Sequence, residues 1–305
     1  MNNEILCQFI PVSTSPSPSP SPSTSTSTST STSNNNQKQK KEKDSNQPYK
    51  KGGNRKQCIR KKNKRNRLKK ARFRIFADFI IDTFGKKQLQ NGILDVAGGK
   101  ASLALEWTLE RNIACTVVDP QNGRFSAFTT RRIWNLSSKE EEGETKEEDI
   151  TAVVSLSWHS KTDKHSNNMS LSNLFDIQEC QKFNTETIHK MESYLHKKGL
   201  IFHKCYFNKE YIQNNDFWDH SSIVLGMHPD EATEDIVDFA IQYNKPFAVV
   251  PCCVFPSLFP NRKLKDGQLV RTLDQFITYL KAKHPDIQST TLMDMPGCNV
   301  VIYKC

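Results

Sequence analysis

The stretch ILDVAGGKAS, residues 93–102, decides the fold class of this chain. Its first four residues, Ile93 to Val96, form an apolar run with the length of a buried strand, and Gly98 and Gly99 follow in a tight turn. A helical pattern begins after the turn, and one carboxylate, Asp95, stands at the strand end. This order is typical of the first strand–turn–helix unit of a parallel sheet, where a ligand binds beyond the carboxyl end of the strand.

Apolar runs of strand length alternate with helical patterns through the rest of the chain from Phe73 onwards. This alternation predicts an α/β fold with a doubly wound, Rossmann-like and mostly parallel sheet. The final segment, TTLMDMPGCNVVIYKC, predicts an antiparallel C-terminal hairpin joined by Gly297 and Cys298. Strands are predicted within residues 92–97, 114–120, 199–207, 221–229 and 246–255. Helices are predicted within residues 73–84, 101–112, 184–197, 231–243 and 271–283.

Composition divides the chain into three parts. Residues 1–37 form a tail rich in Ser, Thr and Pro, which is predicted to be disordered because it has too few apolar side chains to form a core. Residues 38–72 form a basic arm, also predicted to be disordered. Residues 73–305 form the folded domain, with a variable insertion at about 123–170 that contains two polar loops and TAVVSLSW as a further strand candidate.

Positive charge is concentrated in the arm. Residues 38–74 contain 18 lysines and arginines and two acidic residues, whereas residues 75–305 contain 25 basic and 30 acidic residues. The arm is interpreted either as a solvated or nuclear-import segment or as an arm that binds RNA or DNA phosphates without sequence specificity. Both interpretations favour an intracellular, nuclear or nucleolar location and leave cytoplasmic and organellar locations open.

Other classes of partner receive less support from the sequence. No apolar run approaches the roughly 20 residues that span a bilayer, so no membrane association is predicted. The nine cysteines include no C-x-x-C pair and no histidine at zinc spacing. We therefore expect reduced thiols and no metal site. Nothing in the sequence indicates an oligomeric state.

Two cofactor classes use a turn such as the one that follows Asp95. A dinucleotide requires G-x-G-x-x-G, and residues 97–102 match only one of its three glycines. S-adenosylmethionine has a cationic ammonium and sulfonium instead of a pyrophosphate, so the Asp95 carboxylate favours it. Asp119, 20 residues after Gly99 at the end of the next strand, is placed to accept two ribose hydroxyls. The simpler interpretation is an ordinary turn in which Asp95 caps the helix.

These residues resemble motifs I and II of the class I S-adenosylmethionine-dependent methyltransferases, whose motif I is [DE]-x-G-x-G-x-G. The corresponding residues here are Asp95-x-Ala97-x-Gly99-x-Ala101. Alanine is acceptable at 97 and 101 only where φ is negative. The resemblance implies that the cofactor is bound by Asp95, Ala97, Gly98, Gly99 and Asp119.

The C-terminal half also resembles this superfamily. His228 and Asp230 follow the fourth predicted strand, and Cys252 and Cys253 follow the fifth. The pattern His-x-x-x-Ala-Thr-Glu with a later Cys-Cys is similar to a subgroup that includes tRNA 2′-O-ribose methyltransferases. Its matching positions are His228, Ala232, Thr233, Glu234, Cys252 and Cys253. The resemblance implies that His228, Asp230 and Cys252 serve catalysis at the acceptor; structural roles for His228 and the cysteines are the alternative.

Three functions follow as hypotheses from these motifs. The first is an S-adenosylmethionine-dependent methyltransferase that acts on RNA, with tRNA or rRNA as the preferred substrates. The second is a catalytically inactive methyltransferase-like module that binds RNA or protein. The third is an NAD-dependent oxidoreductase, which fits the Asp119 spacing but lacks the glycines.

Overall fold

The centre of the fold is a sheet of short apolar strands. The computed structural model describes residues 71–121, 123–141 and 169–305. Seven strands form one sheet with the order β3-β2-β1-β4-β5-β7-β6. The strands are β1 (Ile93–Val96), β2 (Cys115–Val118), β3 (Leu200–His203), β4 (Ile223–Met227), β5 (Phe247–Val250), β6 (Gln288–Thr291) and β7 (Val300–Lys304).

The first five strands are parallel, and β7 runs antiparallel to both of its neighbours. The order β3-β2-β1-β4-β5 is that of a doubly wound, Rossmann-like sheet. Successive strands are added on one side of β1 up to β3 and then on its other side from β4, so the strand order reverses between β1 and β4. Asp95 lies in β1 opposite Val117 of β2 and Leu225 of β4. It therefore occupies the centre of the sheet, next to the point at which ligands bind in folds of this type.

Helices cover both faces of the sheet. The described α-helices are α1 (residues 71–84), α2 (Ser102–Leu105), α3 (Ala127–Glu141), α4 (Ile177–Cys180), α5 (Thr185–Lys197), α6 (Lys209–Asn214), α7 (Asp216–His220), α8 (Thr233–Gln242) and α9 (Leu273–Lys281). A π-helical segment, Glu106–Glu110, continues α2. Strand residues alternate between two apolar layers, so that Ile93 contributes to one and Leu94 to the other. The first layer includes Phe76 of α1 and Ile133 of α3, and the second includes Ile236 of α8.

The start of the described chain agrees with the predicted helix pattern. Helix α1 ends at Gly85, which has a φ of 81° and donates its N–H to the Ile81 carbonyl at 2.9 Å. Glycine is the usual residue at this position because it adopts a left-handed conformation without steric cost. Residues 71 and 72, which the sequence assigned to the arm, are already helical. The tail and the rest of the arm lie outside the described residues.

The structure adds to the sequence-based expectations. Residues 127–141, within the predicted insertion, form helix α3, which buries Ile133. The segment TAVVSLSW lies outside the described residues. Helices α6 and α7 were not predicted.

The predicted C-terminal hairpin is present, but its connection is longer than a Gly-Cys turn. The Leu292 N–H donates to the Asn299 carbonyl at 2.9 Å, and the residues between them form the loop.

Among the residues that the structure describes, no helix combines the length and the apolar character needed to cross a bilayer.

Candidate functional site

The most unusual side chain of the sheet is the carboxyl of Asp95. It is 1% exposed, and neither of its oxygens has a hydrogen-bond partner among the described residues. Burial raises its pKa to about 8, with a further contribution from the negative charge of Asp119. A buried polar group without a partner costs about 1–3 kcal/mol, so the position is unfavourable unless another group binds there. Its place at the switch point of the sheet makes it a candidate for ligand binding.

Gly98 lies directly against this carboxyl. A Cβ on Gly98 would stand 2.6 Å from Asp95 Oδ2 and 2.8 Å from Val117 Cγ1, which is too close for any side chain. The glycine therefore allows the turn to pack onto the carboxyl. Gly99 differs, because a Cβ there would meet nothing within 4 Å. The outer side of the turn faces open space beside Gly99, where a ligand has room.

The turn has an alternating left-handed backbone. Ala97, Gly99 and Ala101 have φ angles of 55°, 53° and 54°. Both alanines therefore adopt the positive φ at which alanine was considered unacceptable from the sequence. A left-handed conformation costs about 1–2 kcal/mol for a residue with a Cβ. The chain accepts this cost because the turn must reverse direction between buried β1 and the buried helix start, where Ala101 itself is fully enclosed.

Asp119 connects the first turn to the second. Its Oδ2 accepts the Gly99 N–H at 2.8 Å, and its Oδ1 accepts the Gln121 N–H at 2.8 Å. The side chain is 6% exposed. Sequence reasoning placed Asp119 correctly at the end of β2, but the carboxylate already bonds to the backbone. Each oxygen keeps one lone pair with which to accept a further donor.

Gly123 is a part of this region that sequence reasoning missed. A Cβ on Gly123 would stand 2.4 Å from the Gly99 carbonyl oxygen and 3.1 Å from side-chain atoms of Leu174 and Phe202. The loop after β2 therefore packs tightly against the first turn. The available signal was its position four residues after Asp119, since glycine marks close approach of two backbones.

His228 and Asp230 lie together at the end of β4, as predicted. The His228 N–H donates to the Val250 carbonyl at 3.1 Å, which ties the ends of β4 and β5 together. Both residues have positive φ, 59° and 46°. Burial lowers the pKa of the His228 imidazole, the positive charge of Arg72 lowers it further, and Asp230 opposes both. The imidazole is therefore neutral near pH 7, with a buried Nδ1 that has no partner among the described residues.

Cys252 and Cys253 lie beside this pair. The Cys252 thiol donates to Asp230 Oδ1 at 3.1 Å. Burial and the neighbouring Asp230 raise the pKa of the Cys252 thiol far above its ordinary value. The thiol is therefore protonated near neutral pH. A thiolate nucleophile requires a lowered pKa, so this environment does not favour covalent catalysis by Cys252.

Arg72 of α1 is the second residue that the sequence did not assign to the site. Its positive charge lowers the pKa of His228. Burial lowers the pKa of Arg72 itself, and the nearby Cys252 acts in the opposite direction. Its Nε atom is buried and has no partner among the described residues. Because Arg72 stood within a run of basic residues, its sequence context did not distinguish it from its solvated neighbours.

Two residues of the resemblance have structural roles. The Thr233 hydroxyl donates to the Asp230 carbonyl at 2.7 Å and lies fully buried. Glu234 accepts from Arg262 Nε at 2.5 Å and from the Tyr279 hydroxyl at 2.6 Å. Arg262 also donates to the Val254 carbonyl at 2.9 Å. The Glu234–Arg262 pair thus holds the segment after Cys253 against α8.

The structure brings the predicted residues together in two groups at one edge of the sheet. Asp95, the turn after it and Asp119 form the first group at β1 and β2. His228, Asp230 and Cys252 form the second at β4 and β5. A separate cleft of about 760 Å³ lies near the ends of β2 and β3, where Arg124 and Lys204 are among its lining residues. Neither group lines that cleft.

Comparison of the chain with protein-family models, with curated proteins and with solved structures finds no match. The chemistry of the two groups is therefore inferred from their own residues.

The raised pKa of Asp95 predicts a pH-dependent stability. The folded protein keeps a proton on Asp95 that the unfolded chain releases, so wild-type stability falls as pH rises between about 4 and 8, by up to about 1.4 kcal/mol per pH unit. Asp95→Asn removes this dependence. We expect its stability advantage over the wild type to grow from pH 5 to pH 8 in urea unfolding. Asp266→Asn, at an exposed loop position, is the control; parallel pH curves for wild type and Asp95→Asn would contradict the assignment.

The turn geometry predicts a stability order. Gly98→Ala is expected to be the most destabilising, by several kcal/mol, because it forces a clash with the buried carboxyl. Gly99→Ala adds only left-handed strain and should cost about 1 kcal/mol. Ala97→Gly relieves such strain, offset in part by the greater entropy of unfolded glycine, and should be neutral to slightly stabilising. Urea unfolding measures all three, and equal effects of the two Gly→Ala changes would refute the geometry.

Proposed function

We propose that this protein is an S-adenosylmethionine-dependent methyltransferase. The observation that carries the proposal is the Asp95 carboxyl, which is buried without a partner among the described residues, beside a glycine turn at the switch point of a Rossmann-like sheet. A cationic ligand group would compensate this carboxyl as an ion pair and lower its pKa. S-adenosylmethionine has two cationic groups, whereas a dinucleotide brings a pyrophosphate that a nearby carboxylate repels. The oxidoreductase hypothesis is therefore less well supported.

The turn conformation supports the same cofactor class. The methyltransferase pattern that the chain resembles has glycine at the positions of residues 97, 99 and 101, and all three have positive φ here. Glycine is the residue that adopts this conformation without strain. The turn thus has the backbone that such a glycine pattern would favour, although two of its three residues are alanines.

The residues of the first group would hold the cofactor in distinct ways. Asp95 would pair with its cationic part, Gly98 and Gly99 would line the turn, and Asp119 would accept hydroxyls with its remaining lone pairs. When bound, S-adenosylmethionine supplies an electrophilic methyl group. The contribution of the protein is mainly to position the acceptor for in-line transfer, which reduces the entropic part of the barrier.

The second group would act on the acceptor. His228 is neutral near pH 7 and has an unpartnered, buried Nδ1 that can accept a proton from an acceptor hydroxyl or amine. Asp230 carries negative charge beside the imidazole, which stabilises the imidazolium that forms. Cys252, with its protonated thiol, would line the pocket without acting as a nucleophile.

RNA is the acceptor class that we infer. The folded part is mildly acidic, so attraction of a polyanion depends on the arm, in which residues 38–74 contain 18 basic residues. The arm directly precedes α1 in the chain. Arg72 of α1 interacts electrostatically with His228 and Cys252. Residues 38–70 of the arm lie outside the described residues, so it is the charge of the arm that supports RNA as the acceptor.

A catalytically inactive binding module is the second candidate, and two observations favour it. Both carboxylate oxygens of Asp119 already serve the backbone, and the alanines at 97 and 101 place methyl groups on the turn. This candidate predicts RNA binding through the arm in the absence of any cofactor affinity.

Calorimetry with S-adenosylmethionine tests the cofactor assignment. We expect the intact chain to bind the cofactor and Asp95→Asn to bind about 10- to 100-fold more weakly, since the charged partner is lost. Binding at pH 7 should also release a proton from Asp95, which titrations in buffers of different ionisation enthalpy detect. Asp266→Asn should bind like the wild type. No binding by the intact chain, or equal binding by Asp95→Asn, would refute the site.

Incubation with labelled cofactor and total RNA and protein tests the acceptor. We expect label in RNA, and much less of it after deletion of residues 38–70, with unchanged cofactor affinity because Arg72 and α1 remain. Transfer by the intact chain should fall steeply with salt, as expected for phosphate contacts. Label confined to protein would overturn the RNA assignment, and absence of label despite RNA binding would favour the inactive module.

A further inference from the structure

The second group also contains a set of metal-ligating atoms. The side chains of Asp230, Cys252 and Cys253 each offer one donor atom, and all three atoms lie within 4.8 Å of one another. Cys252 Sγ lies 3.1 Å from Asp230 Oδ1. Sequence spacing concealed this set, because two of its members are adjacent and the third lies 22 residues earlier on another strand end.

We propose that Asp230, Cys252 and Cys253 bind a borderline-soft divalent cation of the zinc type. Zinc takes thiolate sulfur at about 2.3 Å and carboxylate oxygen at about 2.0–2.2 Å in tetrahedral geometry, which places neighbouring donors about 3.5–3.8 Å apart. The three donor atoms lie within 4.8 Å of one another, so modest side-chain adjustment would bring them to this separation. Thiolate ligands select zinc over magnesium and calcium, which prefer an all-oxygen environment.

Three side chains make up the donor set, and Cys298 in the loop between β6 and β7 is not one of them. If three side chains bind the metal, the fourth position is open to water or substrate, as in catalytic zinc sites.

The charges of the cluster favour a divalent ion. A thiol must lose its proton before it binds a metal ion. With a metal, two thiolates and one carboxylate would present three negative charges. Arg72 contributes one positive charge near Cys252, which does not balance them. Metal binding should therefore release two thiol protons and strengthen as pH rises.

The donor-bearing segments are held in place by the protein itself. The His228 N–H bonds to the Val250 carbonyl on one side of the cluster. The Thr233 hydroxyl bonds to the Asp230 carbonyl, and Arg262 joins Glu234 to the Val254 carbonyl on the other side. The ligands are therefore preorganised, which lowers the entropic cost of metal binding.

The metal site shares Asp230 and Cys252 with the proposed acceptor group, so with zinc bound these two side chains would serve as ligands instead of in the roles given above. Zinc content and cofactor affinity are separate measurements. Binding of zinc without binding of S-adenosylmethionine would contradict only the proposed function, and binding of the cofactor without zinc would contradict only the metal site.

The test uses the full-length chain, purified under reducing conditions, with Zn²⁺ and Co²⁺ as probes. Cys7→Ser and Cys58→Ser are introduced as background because these thiols lie outside the described residues. We expect about one equivalent of zinc per chain after dialysis, and Co²⁺ should give the charge-transfer and intense visible absorption of tetrahedral thiolate ligation. Competition with a chromogenic chelator gives the affinity.

Ligand variants make the assignment specific. Cys252→Ser and Cys253→Ser should each weaken zinc binding at least about 100-fold, since soft ligands dominate the affinity. Asp230→Asn should weaken it less and shift the Co²⁺ spectrum. Cys205→Ser, after β3, is the matched control and should bind like the background chain. Cys253 is partly exposed, so its variant should fold normally, which circular dichroism verifies.

Three outcomes would overturn the proposal. The first is a reduced chain that retains no stoichiometric zinc from excess metal. The second is affinity that is unchanged in both Cys252→Ser and Cys253→Ser. The third is an intact mass that shows a disulfide between the two cysteines after reducing purification.

Discussion

The buried carboxyl of Asp95 constrains the rest of the structure. It occupies the central strand, and its burial is possible only because Gly98 has no Cβ where the turn crosses it. The turn then adopts left-handed φ at Ala97, Gly99 and Ala101 to reach the helix start within a few residues. The strain and the unpaired acid are concentrated at one place, which is typical of functional sites.

Two acidic residues of similar sequence context have opposite environments. Asp119 accepts two backbone N–H groups and joins the turns after β1 and β2. Asp95 accepts none among the described residues and holds a proton at neutral pH. Asp119 therefore stabilises the two turns, whereas the unpartnered carboxyl of Asp95 is unfavourable unless a ligand group compensates it. For this reason the cofactor proposal depends on Asp95 and not on Asp119.

The ends of β4 and β5 combine chemistry with support. His228 and Asp230 present their side chains from a left-handed backbone, and Cys252 contacts Asp230 directly. Glu234, which belongs to the same sequence pattern, has a different role because it binds Arg262 and positions the following loop. A single motif thus contains both residues that face the site and residues that hold it together.

The sequence by itself determined the fold class, because apolar runs separated by amphipathic helices leave few alternatives to a parallel sheet. It also located Asp95, Asp119, His228 and Cys252 at strand ends, since strand length and turn residues are local properties. It did not predict α6, α7 or the extent of α3, whose polar residues obscure the apolar face that packs on the core. Local patterns do not report which distant surfaces will cover a polar helix.

Only the tertiary structure determined which contacts the residues at the strand ends make. Sequence spacing could not show that Asp119 bonds to Gly99, that Gly123 packs on the Gly99 carbonyl, or that Arg72 lies near His228. Nor could it assemble Asp230, Cys252 and Cys253 into one donor set. These relations depend on the order in which strands lie side by side. Strand order arises from long-range packing, whereas spacing along the chain describes only neighbours in sequence.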